Sequence, residues 1–169
     1  MEIHYRLTEE DYLNFNMFHV KNSKAAMRSL NIQRFLLPIM FIFAAYLASQ
    51  FGDIPFVTAF VIYFILAVLW IVFYPKYFYR HVKRMTKRMM NEGKNEGLLG
   101  NHVLRMTDEG ILDSSANGET RVTWAGIVEM KEDQNNIYLY NSGVSACILP
   151  KRELHDVDSV RNYLVERIK

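Results

Sequence analysis

Residues 35–75 read FLLPIMFIFAAYLASQFGDIPFVTAFVIYFILAVLWIVFYP, and Asp53 is the only charged side chain among these 41 residues. At about 1.5 Å per residue, one helix of this length would be roughly twice as long as the ~30 Å hydrocarbon core of a bilayer is thick. The stretch therefore predicts two transmembrane helices, at residues 35–51 and 56–74. Residues 52–55 read GDIP and supply the turn that a helical hairpin needs.

The basic residues that flank this hairpin predict its orientation. The turn between the two spans has no lysine or arginine, whereas basic side chains lie on both outer flanks. They are Lys21, Lys24, Arg28 and Arg34 before the first span, and Lys76, Arg80, Lys83, Arg84, Lys87 and Arg88 after the second. Because positive charge is retained on the cytoplasmic side, we expect a multi-pass cell-membrane protein with both termini in the cytoplasm.

Residues 76–91 predict a basic juxtamembrane helix. Phe78, Val82, Met85 and Met89 recur at helical spacing and form an apolar stripe. Five basic residues surround this stripe and are candidates to contact anionic lipid headgroups: Arg80, Lys83, Arg84, Lys87 and Arg88. Such contacts contribute about 1 kcal/mol per basic residue close to the membrane surface. The alternative is that these charges serve only as the topology signal.

Residues 1–34 predict a short strand followed by a cytoplasmic helix. Thr8 precedes Glu9, Glu10 and Asp11, which is a capping-box-like helix start with acids in the first turn. From there, residues at helical spacing continue as far as Ser29. The strand at residues 3–7 is a candidate to extend a sheet edge of the C-terminal domain.

Beyond a glycine-containing linker at residues 92–100, the pattern changes from helical spacing to short β-like runs separated by turn residues. The predicted strands are residues 101–107, 111–115, 119–123, 127–132, 137–140 and 144–149. After Pro150 a final helix is expected, with Asp156 or Asp158 as its cap and with Val157, Val160, Leu164 and Ile168 on one face. Residues 101–169 therefore predict a small antiparallel β domain capped by a C-terminal helix.

Four features of this domain carry a family resemblance. A strand pair closes on Asn117-Gly118, the run Val122–Ile127 contains Trp124, Ile137–Tyr140 alternates, and Cys147–Arg152 precedes the capping helix. Together they resemble the YcxB-like family of Gram-positive bacteria. That family also has an N-terminal strand and helix before two transmembrane helices, and its cytoplasmic part is similar to bacterial pleckstrin-homology-like (PH-like) domains. The resemblance implies a membrane α + β protein with a PH-like domain, and it implies no established activity.

Outside the basic helix, few residues are candidates for a functional site. Lys151 and Arg152 follow the last strand, where they could contact a phosphate or a protein partner; the alternative is solvated surface charge. The histidines His4, His19, His81, His102 and His155 lack the spacing of metal ligands. The single cysteine, Cys147, is interpreted as a small buried hydrophobe. With no G-x-S-x-G elbow or phosphate-binding glycine loop, the sequence predicts no enzyme, no metal and no cofactor.

These patterns predict a membrane-anchored, non-enzymatic binding or scaffolding module whose partners are the lipid bilayer, anionic lipid headgroups and an unidentified protein. Pumps and voltage sensors need ionisable groups within the membrane, and the spans contain none at mid-depth. Residues 98–169 have eleven acidic and eight basic side chains, which disfavours nucleic-acid binding. An alternative is an immunity protein against a membrane-active bacteriocin or toxin. A third is an enzyme that acts at the lipid surface.

Overall fold

The protein folds as two units, and the computed structural model describes residues 1–92 and 98–168. The first unit comprises Met1–His19 and Thr86–Lys169, and the second comprises Val20–Met85. In chain order the elements are β1 (Glu2–Leu7), α1 (Glu9–Asn22), α2 (Lys24–Phe51), α3 (Phe56–Glu92), β2 (Gly100–Met106), β3 (Gly110–Ser115), β4 (Gly118–Thr123), β5 (Glu129–Glu132), β6 (Asn136–Tyr140), β7 (Ala146–Pro150) and α4 (Val157–Arg167). The helices α2 and α3 are thus an insertion in the chain between β1 and β2.

Two antiparallel sheets build the first unit. One has the strand order β1-β2-β3-β4, and the other has the order β5-β6-β7. The strand β1 pairs with β2 along its whole length, from Glu2 opposite Arg105 to Leu7 opposite Gly100. This pairing confirms the prediction that the N-terminal strand extends a sheet of the C-terminal domain.

The inner face of the four-stranded sheet changes from apolar to polar along its strands. Its apolar end consists of four buried residues: Ile3, Leu104, Met106 and Ile111. Register places Tyr5 opposite His102, and His102 opposite Ser115. Asp113 lies opposite Leu104 on the same inner face, next to these polar residues. One end of the sheet therefore belongs to the hydrophobic core, and the other end presents polar groups.

The helix α1 packs on the second sheet through its aromatic side chains. The ring of Phe15 lies 5.4 Å from that of Tyr138 and 5.8 Å from that of Tyr140, and Phe18 lies 4.9 Å from Tyr138. The capping box at its start is confirmed, because the amide of Thr8 donates to Asp11 Oδ2 at 2.8 Å.

The C-terminal helix α4 caps this core as the sequence predicts. Asp156 is its N-cap and accepts a hydrogen bond from the amide of Ser159 at 3.0 Å. Val160 and Leu164 are buried, and Leu164 is fully excluded from solvent.

The second unit contains two helices that are long and apolar enough to span a membrane. Its buried hydrophobic positions include small alanines, Ala45 and Ala59 among them, whereas many of its large apolar side chains are exposed. Near the start of the apolar stretch, Arg34 Nε donates to the carbonyl of Ile71 at 3.0 Å. This polar contact between α2 and α3 lies at the end away from the turn, and small side chains allow close packing elsewhere.

Several predicted boundaries differ from those in the structure. Helical spacing predicts an unbroken helix through Ser29, but Ser23 starts a new helix because its hydroxyl accepts from the amide of Ala26 at 3.3 Å. The strand predicted from residue 127 begins at Glu129, since Trp124–Gly126 forms a 3-10 turn capped by Thr123. The helix α3 continues through Pro75. Within the predicted linker, residues 93–97 lie outside the described part of the chain.

Candidate functional site

A cavity of about 310 Å³ lies at the polar end of the four-stranded sheet. Its wall includes Tyr5 from β1, His102 from β2, Asp113 from β3 and Cys147 from β7. Part of its rim is solvent-accessible, because the lining residue Val144 is 75% exposed. The fold therefore brings polar groups from distant parts of the sequence to one opening between the two sheets.

Asp113 is the acceptor at the centre of this cluster. The hydroxyl of Tyr5 donates to Asp113 Oδ1 at 3.0 Å, and His102 Nδ1 lies 3.2 Å from both carboxylate oxygens. The rings of Tyr5 and His102 stack with centroids 5.2 Å apart. Because a carboxylate only accepts hydrogen bonds, His102 Nδ1 has the proton, and in the neutral imidazole Nε2 is an acceptor.

The environment keeps the hydroxyl of Tyr5 and the thiol of Cys147 protonated. Burial raises the pKa of Tyr5, and the nearby Cys147 and Asp113 raise it further. Burial also raises the pKa of the Cys147 thiol to about 12, with a further rise from Asp113 and a smaller opposing effect of the hydrogen bond with Tyr5. Both groups are therefore neutral at physiological pH.

The presence of Cys, His and Asp in one cavity invites comparison with a catalytic triad. In such a triad the imidazole nitrogen that does not face the carboxylate contacts the nucleophile. Here Cys147 Sγ contacts the Tyr5 hydroxyl at 3.8 Å, and His102 Nε2 has no hydrogen-bond partner. The thiol is therefore protonated, and it contacts a hydroxyl group instead of the imidazole that a triad requires.

Two buried polar atoms among the cavity residues have no hydrogen-bond partner. They are Nε2 of His102 and Oδ1 of Asn141, and both residues line the cavity. A buried polar atom without a hydrogen bond costs about 1–3 kcal/mol, so a partner for either atom would stabilise the site. Among residues 1–92 and 98–168, no group of three or more His, Cys, Asp or Glu side chains is placed to hold a metal ion.

The predicted contact residue Arg152 lies in an ion pair within the chain. Its Nη1 and Nη2 donate to the two oxygens of Asp11 at 2.6 and 2.7 Å, and Nη2 also donates to the carbonyl of Arg6 at 2.9 Å. Burial of Asp11 opposes its ionisation, but hydrogen bonds from Arg152 and Thr8 outweigh this effect and hold the pKa of Asp11 below its ordinary value. The pair connects α1 to the residues that follow β7.

The neighbouring Lys151 is also paired, since its Nζ lies 2.9 Å from a carboxylate oxygen of Glu132. A phosphate or an acidic partner at Lys151 and Arg152 would compete with these internal carboxylates. That contact stays a prediction.

The five basic residues predicted to contact lipid all belong to α3. Arg80, Lys83, Arg84, Lys87 and Arg88 are exposed. Within the apolar stripe, Phe78 and Val82 are half-buried, whereas Met85 and Met89 are 44% and 63% exposed. The helix therefore presents charged and apolar side chains to its surroundings.

The cavity cluster is the part of the site that sequence reasoning missed. His102 and Cys147 are assessed there as isolated residues, and Tyr5 and Asp113 receive no role. The available signal was the spacing of Ile111 and Asp113, because residues two apart in a strand share one face, and the apolar Ile111 marks that face as the inner one. A charged group at an inward position points to a partner inside the fold.

A family comparison supports the resemblance found in the sequence. The model of the YcxB-like protein family matches residues 107–164, a segment that runs from the turn before β3 into α4. The predicted similarity to YcxB-like proteins is confirmed over this segment. No curated protein and no solved structure matches the chain.

Proposed function

We propose that this protein is a membrane-anchored, non-enzymatic binding module. In this proposal α2 and α3 cross the cell membrane as a hairpin, both termini are cytoplasmic, and the β-rich unit is a PH-like domain held under the inner leaflet. There it recruits a partner.

The observation that carries the proposal is the exposure of the hairpin's large apolar side chains. Only 11% of the apolar window in each of the two helices is buried. Phe43 is 61% exposed and Val57 is 71% exposed. The core helix of a soluble protein would bury such side chains, and water-soluble proteins rarely expose apolar surface of this extent. A bilayer removes that cost.

The position of the hairpin in the chain explains how it would anchor the domain. The chain leaves the β-rich unit after β1 and α1 and returns to it at β2, and these two strands pair directly. The Asp11–Arg152 pair holds α1 to the same unit. The chain thus connects the domain to both ends of the hairpin.

The architecture of this unit supports a PH-like assignment. A four-stranded and a three-stranded antiparallel sheet closed by one C-terminal helix is also the arrangement of PH-like domains. The YcxB-like family match covers most of this unit's C-terminal part. Because a fold does not specify a ligand, the proposal takes from it only a role in binding.

The exposed basic residues of α3 give the proposal a measurable lipid preference. We expect full-length protein in nanodiscs of mixed phosphatidylcholine and phosphatidylglycerol to retain phosphatidylglycerol selectively, as read by native mass spectrometry. Replacing Lys83, Arg84 and Lys87 with glutamine removes about 1 kcal/mol per charge, so selectivity should fall at least tenfold.

A control variant removes three cations outside α3, through Arg6, Arg121 and Lys131→Gln, and should leave the selectivity unchanged. Equal loss in both variants would mean that net charge alone attracts the lipid. No selectivity in the unaltered protein would remove lipid contact from the proposal.

A further inference from the structure

The cavity between the two sheets has a composition that selects for one kind of ligand. We propose that it binds a small organic amine in its cationic form, with the ammonium group beside Asp113 and an apolar body among the aromatic residues. This proposal concerns the β-rich unit by itself and is independent of membrane anchoring.

Charge is the first argument for an amine. Asp113 is the carboxylate of the cavity, and among its described lining residues there is no lysine or arginine. The contacts of Asp113 come from the Tyr5 hydroxyl and the His102 imidazole. An anionic ligand would add a second negative charge next to Asp113, whereas an ammonium group would pair with it.

Hydrogen-bonding capacity is the second argument. His102 is only 6% exposed, and its Nε2 has no partner. Oδ1 of Asn141, also from the cavity wall, has none either. Asn141 Oδ1 is an acceptor, and Nε2 of His102 is an acceptor in the neutral imidazole that has its proton on Nδ1. An ammonium group has several N–H donors and no acceptor, which matches this set of acceptors.

The aromatic wall is the third argument. Tyr5, Tyr12 and Phe15 line the same cavity. Aromatic faces attract cations within about 6 Å and also accommodate an apolar chain. A volume of about 310 Å³ is at the lower end of the size of small-molecule sites, so the ligand is smaller than a nucleotide.

Three probes of similar shape test the proposal: phenethylamine, 2-phenylethanol and 3-phenylpropanoate. Full-length protein with ¹⁵N-labelled histidine is titrated in micelles, and the His102 ring resonances are assigned with a His102→Gln variant. We expect phenethylamine to shift the His102 resonances saturably, while the alcohol and the carboxylate bind at least tenfold more weakly. Equal shifts with all three probes, or none with the amine, would overturn the proposal and leave a water-filled cavity.

An isosteric substitution separates the role of charge from that of shape. Asp113→Asn should weaken phenethylamine binding at least tenfold, because it removes the charge and preserves the side-chain size. Asp108→Asn changes a fully exposed carboxylate outside this cavity and should have no effect. Unchanged binding in Asp113→Asn would contradict the proposal, and the three-probe comparison decides the question if that variant does not fold.

Discussion

Replacing Arg152 with alanine is expected to lower the free energy of unfolding of the β-rich unit by about 2–3 kcal/mol. Asp11 is only 1% exposed and would keep Thr8 but lose both guanidinium contacts. The half-exposed position of the Arg152 side chain places the expected value below that of a fully buried pair. Amide hydrogen exchange in β1 and β2 of the full-length protein measures the change.

Arg121→Ala is the matched control, because Arg121 is an exposed strand residue, and its effect should stay within about 0.5 kcal/mol.

The pH dependence of the Arg152→Ala effect gives a second test of the ion pair. The pKa of Asp11 is lower in the folded protein than in the unfolded chain. The contribution of the ionised Asp11 to the free energy of unfolding is therefore complete above the ordinary aspartate pKa of about 3.9, and it is lost as the pH falls through the lower folded pKa. The Arg152→Ala difference should therefore shrink below pH ~4, and equal effects of the two variants at neutral pH would contradict the role of the pair.

The second large effect is expected at Gly110, where Gly110→Ala should cost about 3 kcal/mol. A Cβ atom there would lie 2.2 Å from the carbonyl oxygen of Val122 and 2.6 Å from Cα of Thr123. Both atoms belong to the backbone of β4, which pairs with β3 at this position. The strands would have to separate locally, so faster amide exchange in β3 and β4 is the measurement.

Gly143→Ala provides the comparison, since no atom lies within 4 Å of a Cβ built at Gly143. Its effect should remain within about 0.5 kcal/mol. Unperturbed exchange in the Gly110→Ala variant would show that β3 and β4 do not approach as closely as described.

Most of the fold follows from local patterns in the sequence. The apolar run at residues 35–75 contains most of α2 and the first half of α3. Its length and hydropathy were sufficient to predict two long apolar helices. Turn signals such as Asn117-Gly118 separate strands that pair antiparallel, and Asp156 starts α4 as expected. The helix break at Ser23 was missed because helical spacing continues across it, and a single capping hydroxyl determined the outcome.

The cavity could not be predicted in the same way. Tyr5 and Asp113 are 108 residues apart, and the contact between them depends on the register of β1 with β2 and of β2 with β3. A shift of one residue in either pairing would turn His102 or Asp113 away from the inner face. Periodicity shows that a strand exists, but it does not show which strand lies beside it. The sequence therefore predicted contact residues at Lys151 and Arg152 and not in the cavity. In the structure Lys151 pairs with Glu132, and Arg152 pairs with Asp11.

The central claim is that the turn of the hairpin lies on the extracellular side of the membrane and that the β-rich unit lies in the cytoplasm. Single-cysteine labelling in intact cells tests it, with Cys147→Ala as the background. One protein has Asp53→Cys in the turn, and the other has Asp108→Cys in the exposed turn between β2 and β3. A membrane-impermeant maleimide should label the Asp53→Cys protein in intact cells and the Asp108→Cys protein only after permeabilisation. Labelling of the Asp108→Cys protein in intact cells, with the Asp53→Cys protein protected, would contradict the account.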